Sequence, residues 1–112
     1  MGMRLLLAAM LLLPCGRAAW AEGGYYSGNA LLRDCGAPIP YNRGVCLGYV
    51  AGIAQMLAYT PVEGHRACIP REVNERKLQD QVMVFLEMRR REKPAVLLVV
   101  EALEEAYPCA GG

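Results

Sequence analysis

The sequence predicts an all-α fold, a small four-helix domain stapled by two disulfides. Three observations carry this. Apolar residues recur at helical rather than strand spacing, and clusters of proline and glycine cut the chain into helix-length pieces. Four cysteines remain once an N-terminal leader is set aside, an even number in a small chain.

The leader is read first. Arg4 supplies a short positive region, Leu5 to Leu13 is an unbroken apolar run, and Ala19-Trp20-Ala21 places small residues where a signal peptidase reads them. Cleavage is expected after Ala21, so that residues 1–21 are a secretory signal peptide and residues 22–112 form the domain. A spanning helix needs about 20 apolar residues, and this run stops at Pro14, so no membrane anchor is expected to remain. A lipoprotein reading would lipidate Cys15, but Pro14 stands where a small residue is wanted, and simple export is preferred. The exported domain then carries 10 basic and 11 acidic residues, which leaves no global positive field to attract nucleic acid or an anionic membrane.

The first helix is expected from about Tyr25 to Cys35, with Ser27 as a candidate N-cap and Ala30, Leu31 and Leu32 as apolar content. Gly36-Ala37-Pro38-Ile39-Pro40 ends it, because proline cannot continue a helix. The second is expected from about Val45 to Tyr59. Its Gly48 and Gly52 share a face and open a groove for close helix packing, inside the domain or in a dimer. Thr60 to Ala67 is a loop with Pro61, Gly64 and the only histidine, His65. The third helix starts at Asn74 and runs to about Arg89, with Leu78, Val82, Phe85 and Leu86 as one buried stripe. Arg89 to Lys93 is a charged connector, and Pro94 opens a fourth helix through Val96, Val99, Val100, Leu103 and Ala106 to about Tyr107.

Helix order selects the cysteine pairing. A short connector makes the third and fourth helices antiparallel, which brings Cys68, before one, beside Cys109, after the other. Cys35 and Cys46 flank a loop of ten residues and pair across it. The expected bridges are therefore Cys35–Cys46 and Cys68–Cys109. A zinc site built from His65 and cysteines is disfavoured, since no Cys-x-x-Cys pair is present and export implies an oxidising compartment; no metal or other cofactor is expected.

No catalytic constellation emerges. His65 stands in a loop without an adjacent nucleophile in sequence, and Glu101, Glu104 and Glu105 read as a solvated helix surface. The six tyrosines suit contact better than chemistry. The chain is read as a binding protein and not an enzyme. Two loops project from the expected body, and they nominate Glu63, His65 and Arg66 in one, and Arg89, Arg90 and Arg91 in the other, as partner-binding residues.

Ser27-Gly28-Asn29-Ala30-Leu31-Leu32 leading to Cys35, and Cys46-Leu47-Gly48-Tyr49-Val50-Ala51-Gly52, are similar to the front half of the type VI secretion amidase-immunity family. Cys68-Ile69-Pro70 and the segment from Ala102-Leu103 to Ala106-Tyr107-Pro108-Cys109 match its back half. The sequence departs from that pattern at Gln55, where an acidic residue is expected, and near Arg90, where a proline-containing turn is expected. The resemblance implies a periplasmic immunity protein, acting as a homodimer, that binds a peptidoglycan amidase toxin and occludes its cysteine–histidine cleft. The other reading from composition is a periplasmic stress chaperone, for which one histidine and balanced charge make a weak pH sensor.

Overall fold

A computed structural model describes residues 25–89 and 91–110. The leader, Cys15 and Arg90 lie outside the described residues, so those readings stay expectations. Four helices follow in order: α1 (Gly28–Gly36), α2 (Pro40–Leu57), α3 (Glu75–Met88) and α4 (Ala95–Ala106). Every helix touches every other, and no strand occurs among the described residues beyond two isolated bridges. Both expected disulfides are formed, Cys35–Cys46 and Cys68–Cys109.

Local chemistry explains the boundaries. Ser27 caps α1, its hydroxyl accepting from the Ala30 N–H at 3.2 Å. Asn74 caps α3 in the same way through Lys77 N–H at 2.9 Å. The second helix begins five residues before the expected Val45, because Pro40 sits in its first turn, where a missing N–H costs nothing. Cys46 therefore lies well inside α2. It is fully buried, and its bridge to nearly buried Cys35 is part of the core.

The core is built from Leu31 of α1, Val50 and Leu57 of α2, Val82 and Leu86 of α3, and the most buried face of all on α4. On α4, Ala95, Leu98, Val99, Val100, Ala102 and Leu103 are all buried. No charged or polar residue is buried among the described residues, so burial of apolar area is the main source of cohesion.

The described part of the α3–α4 connector lies against the start of α1, with Glu92 and Lys93 exposed. Its carbonyls close the N-terminus of α1: Gly28 N–H donates to Lys93 O at 3.0 Å and Asn29 N–H to Arg91 O at 2.9 Å. Ala95 N–H returns a bond to Tyr26 O at 2.8 Å. The first orphan donors of a helix are thus satisfied by backbone from a distant segment.

Gly28 makes this approach possible. A Cβ placed there would lie 2.9 Å from Arg91 O and 2.3 Å from Leu98 Cδ1. Gly48 and Gly52 behave in the opposite way. Nothing lies within 4 Å of a Cβ built at either, and both face outward. The expectation that they mediate close helix packing inside the domain is corrected: α2 buries its Cys46, Val50, Ile53, Ala54 and Leu57 face and turns its glycines to the surface.

A polar staple joins α1 to α2. Asp34 accepts from the Tyr26 hydroxyl and from Asn42 Nδ2, the latter at 2.9 Å. Asp34 sits in the last turn of α1, where the helix dipole disfavours an anion, and these two donors offset that. The Tyr26 hydroxyl, followed by Asn42, holds the Asp34 carboxyl below the usual carboxylate range. Burial, followed by the bond to Asp34, pushes the Tyr26 phenol above its ordinary value.

The signs give a pH prediction. The depressed carboxyl contributes stability that is complete above its unfolded value of about 3.9 and is lost as pH falls through the lower folded value. The raised phenol contributes stability that is complete below its unfolded value of about 10 and is lost as pH rises beyond it. Tyr26→Phe is expected to flatten both edges of the stability profile, read by urea unfolding across pH. Edges identical to those of the parent chain would remove this staple as their cause.

Candidate binding site

The connection from α2 to α3 runs from Ala58 to Asn74, 17 residues. Connections beyond about 12–15 residues without their own regular structure are uncommon in compact domains and are usually functional. This one is ordered by its own hydrogen bonds. Val62 and His65 exchange backbone bonds, Val62 N–H to His65 O at 3.0 Å and His65 N–H to Val62 O at 2.8 Å. Between them Glu63 and Gly64 both have positive φ, 49° and 78°. That is a two-residue turn of the type I′ hairpin class. Gly64 takes its conformation at no steric cost, whereas Glu63 is a non-glycine residue held in the left-handed region.

The turn is tied to the C-terminal end of α4. One Glu104 oxygen accepts from the Arg66 backbone N–H at 2.7 Å, and the other lies 3.0 Å from His65 Nδ1. The backbone bond, followed by His65, holds the Glu104 carboxyl below its ordinary range. Just beyond, Cys68 N–H donates to Tyr107 O at 2.8 Å and Cys68 is bridged to Cys109. A cleft of about 730 Å³ lies between the turn and the C-terminal segment, with Gly64, Arg66, Glu104 and Pro108 on its walls.

Glu63, Gly64 and Arg66 are exposed at the tip, and His65 is half-buried against α4. The structure thus brings Glu63, His65 and Arg66 together on one rigid protrusion. Of the second nominated group, Arg89 and Arg91 are among the described residues. Arg89 is spent within the fold, donating to Glu105 at 3.0 Å and stacking 4.8 Å over the Phe85 ring. Arg91 is half-buried, and its carbonyl caps α1. Arg90 lies outside the described residues, and the reading of this connector as a partner-binding loop stays an expectation. Glu104 was missed, because its spacing on α4 reads as an ordinary solvated face. No sequence signal links it to a loop 38 residues away.

As chemistry the site is spare. His65 is hydrogen-bonded to a carboxylate, but the cysteines of the described chain are all in disulfides and no nucleophile accompanies the pair. Among the described residues no three His, Cys, Asp or Glu side chains are grouped to hold a metal. No helix among them is long and apolar enough to cross a membrane. What remains is shape: a narrow tip, held at its base, on a stapled helical body.

The geometry defines a class, a disulfide-stapled helical domain that carries an exposed turn held to its last helix. The family model of the Rap1a immunity proteins matches residues 27–109, and the chain belongs to that family. It is accordingly an immunity protein against a secreted toxin, and the family suggests a non-enzymatic role. No curated protein matches the chain, and no solved structure matches it.

Proposed function

We propose that this protein resides in the periplasm and neutralises a type VI secreted peptidoglycan amidase by seating the Val62–His65 turn in the enzyme's cleft. The observation that supports this reading is the turn itself, exposed at its tip and rigid at its base in a chain of this family. A partner that binds such a tip pays little to order it, so affinity is not spent on folding a loop. Two disulfides suit an oxidising compartment.

The test is protection. An amidase encoded beside this gene, exported to the periplasm, is expected to lyse cells alone and to spare them when this protein is co-expressed. The purified pair is expected to form a fixed-ratio complex without amidase activity. Unchanged lysis and no complex would sink the reading for that pair. Suppressed aggregation of unrelated clients, with no fixed ratio, would favour a chaperone.

The proposal extends to a homodimer formed through α2. Its outward stripe carries Tyr41, Val45, Gly48, Gly52 and Met56, with Tyr59 just past its end, and no charge among them. The order is nearly palindromic about Val50. Two α2 helices crossing antiparallel on a two-fold axis would match Gly48 with Gly52 and Tyr41 with Tyr59, as isologous contact requires. Gly48→Ala and Gly52→Ala together are expected to stabilise the monomer, because each glycine inside a helix costs roughly 0.5–1 kcal/mol against alanine. The same pair is expected to weaken association by filling the crossing point. Analytical ultracentrifugation showing an unchanged dimer, or none in the parent, would remove α2 as the interface.

A further inference from the structure

We infer that Glu104 is the positioning residue of the docking turn, a carboxylate on α4 that holds Val62–His65 in its bound conformation before any partner arrives. The inference rests on the reading of that turn as the contact element.

Both oxygens of Glu104 are used on the loop. One takes the Arg66 backbone N–H at 2.7 Å, and the other takes the His65 ring at Nδ1, 3.0 Å away. Bonds to an ionised acceptor are about twice as strong as neutral ones. They fall on the residue that closes the turn and on the next one, so the carboxylate fixes the direction in which the tip leaves the body. The His65 ring is fixed in the same stroke, held to the carboxylate through Nδ1.

The arrangement also decides which charges a partner meets. Glu104 is satisfied by the loop, and His65 is turned inward to it. Neither the Glu63 carboxylate nor the Arg66 guanidinium makes an ion pair within the described residues, whose pairs are His65–Glu104 and Arg89–Glu105. The rigid tip therefore offers one anion and one cation, three positions apart, flanking a glycine and a half-buried histidine. The matching cleft would carry a cationic group for Glu63 and a carboxylate or carbonyl for Arg66.

Two substitutions test this, Glu104→Ala and Glu104→Gln, with two readouts. In the free protein, amide exchange at Arg66 is expected to accelerate by at least about tenfold in Glu104→Ala, with exchange in the α2 and α3 cores unchanged. Glu104→Gln keeps one acceptor oxygen and is expected to restore part of that protection. In the complex, Glu104→Ala is expected to weaken amidase binding by about tenfold through lost pre-ordering, with Glu104→Gln between it and the parent.

Unchanged exchange at Arg66 in Glu104→Ala would overturn the inference, and so would a loosened turn with unaltered affinity. If the parent chain binds no amidase, the proposed function fails, and the exchange measurement alone still decides whether Glu104 holds the turn.

Discussion

Replacing Cys68 and Cys109 together by alanine is expected to lower the unfolding free energy by about 4 kcal/mol, read by urea denaturation followed by circular dichroism. The bridge spans a sequence separation of 41, against 11 for Cys35–Cys46. Loop-closure entropy grows with the logarithm of the enclosed length, so the shorter bridge is worth about 3 kcal/mol on the same reasoning. The longer bridge also ties the base of the loop proposed to dock to the end of α4. Its loss should therefore abolish protection against the toxin under conditions where most of the helix content persists. Cys68 is exposed, whereas Cys35 and Cys46 are buried in the core. Mild reductant should accordingly open Cys68–Cys109 first, as mass spectrometry after alkylation would show. Full protection by the double variant would mean that the helices alone hold the binding surface.

Gly28→Ala is expected to destabilise the domain by about 1–3 kcal/mol, the cost of overpacking a fitted site. The Leu98 methyl can rotate away from the new Cβ, but Arg91 O at 2.9 Å and Arg91 Cα at 3.1 Å belong to backbone. Relief would require the α3–α4 connector to lift from α1. That movement would lengthen the bonds from Gly28 N–H to Lys93 O and from Asn29 N–H to Arg91 O. Thermal unfolding of this variant, set beside Gly48→Ala, gives an internal control. At concentrations where the chain is monomeric, the same change should lower the melting temperature at position 28 and raise it at position 48. A neutral Gly28→Ala would show that the connector is free to shift.

Much of the architecture was legible in the chain. Leu78, Val82, Phe85 and Leu86 fall on one helical stripe, and all four are buried. Ser27 and Asn74 announce helix starts, and both cap. The cysteine pairing followed from helix order alone, because antiparallel neighbours leave Cys68 and Cys109 at the same end. The start of α2 was misplaced because Pro40 reads as a terminator, yet in a first turn it is compatible with a helix.

The site was legible in part. Glu63, His65 and Arg66 stood out as polar residues in a loop beside a cysteine, and the structure puts them on one turn. The basic connector stood out equally, and the structure uses the Arg89 side chain on Glu105 and the Arg91 and Lys93 carbonyls on the start of α1. A run of arginines looks the same in sequence whether its backbone caps a distant helix or faces a partner.

By itself the sequence determined what short-range physics controls: helix periods, caps, breakers and the order that pairs four cysteines. Only the tertiary structure decided what depends on groups far apart in the chain. It made Gly28 the point of close approach and turned Gly48 and Gly52 outward, although all three are glycines in helices. It also brought Glu104 onto a turn 38 residues away, and so made a solvated carboxylate the anchor of that turn. Such contacts are set by how whole helices pack against one another, and local sequence carries no trace of that geometry.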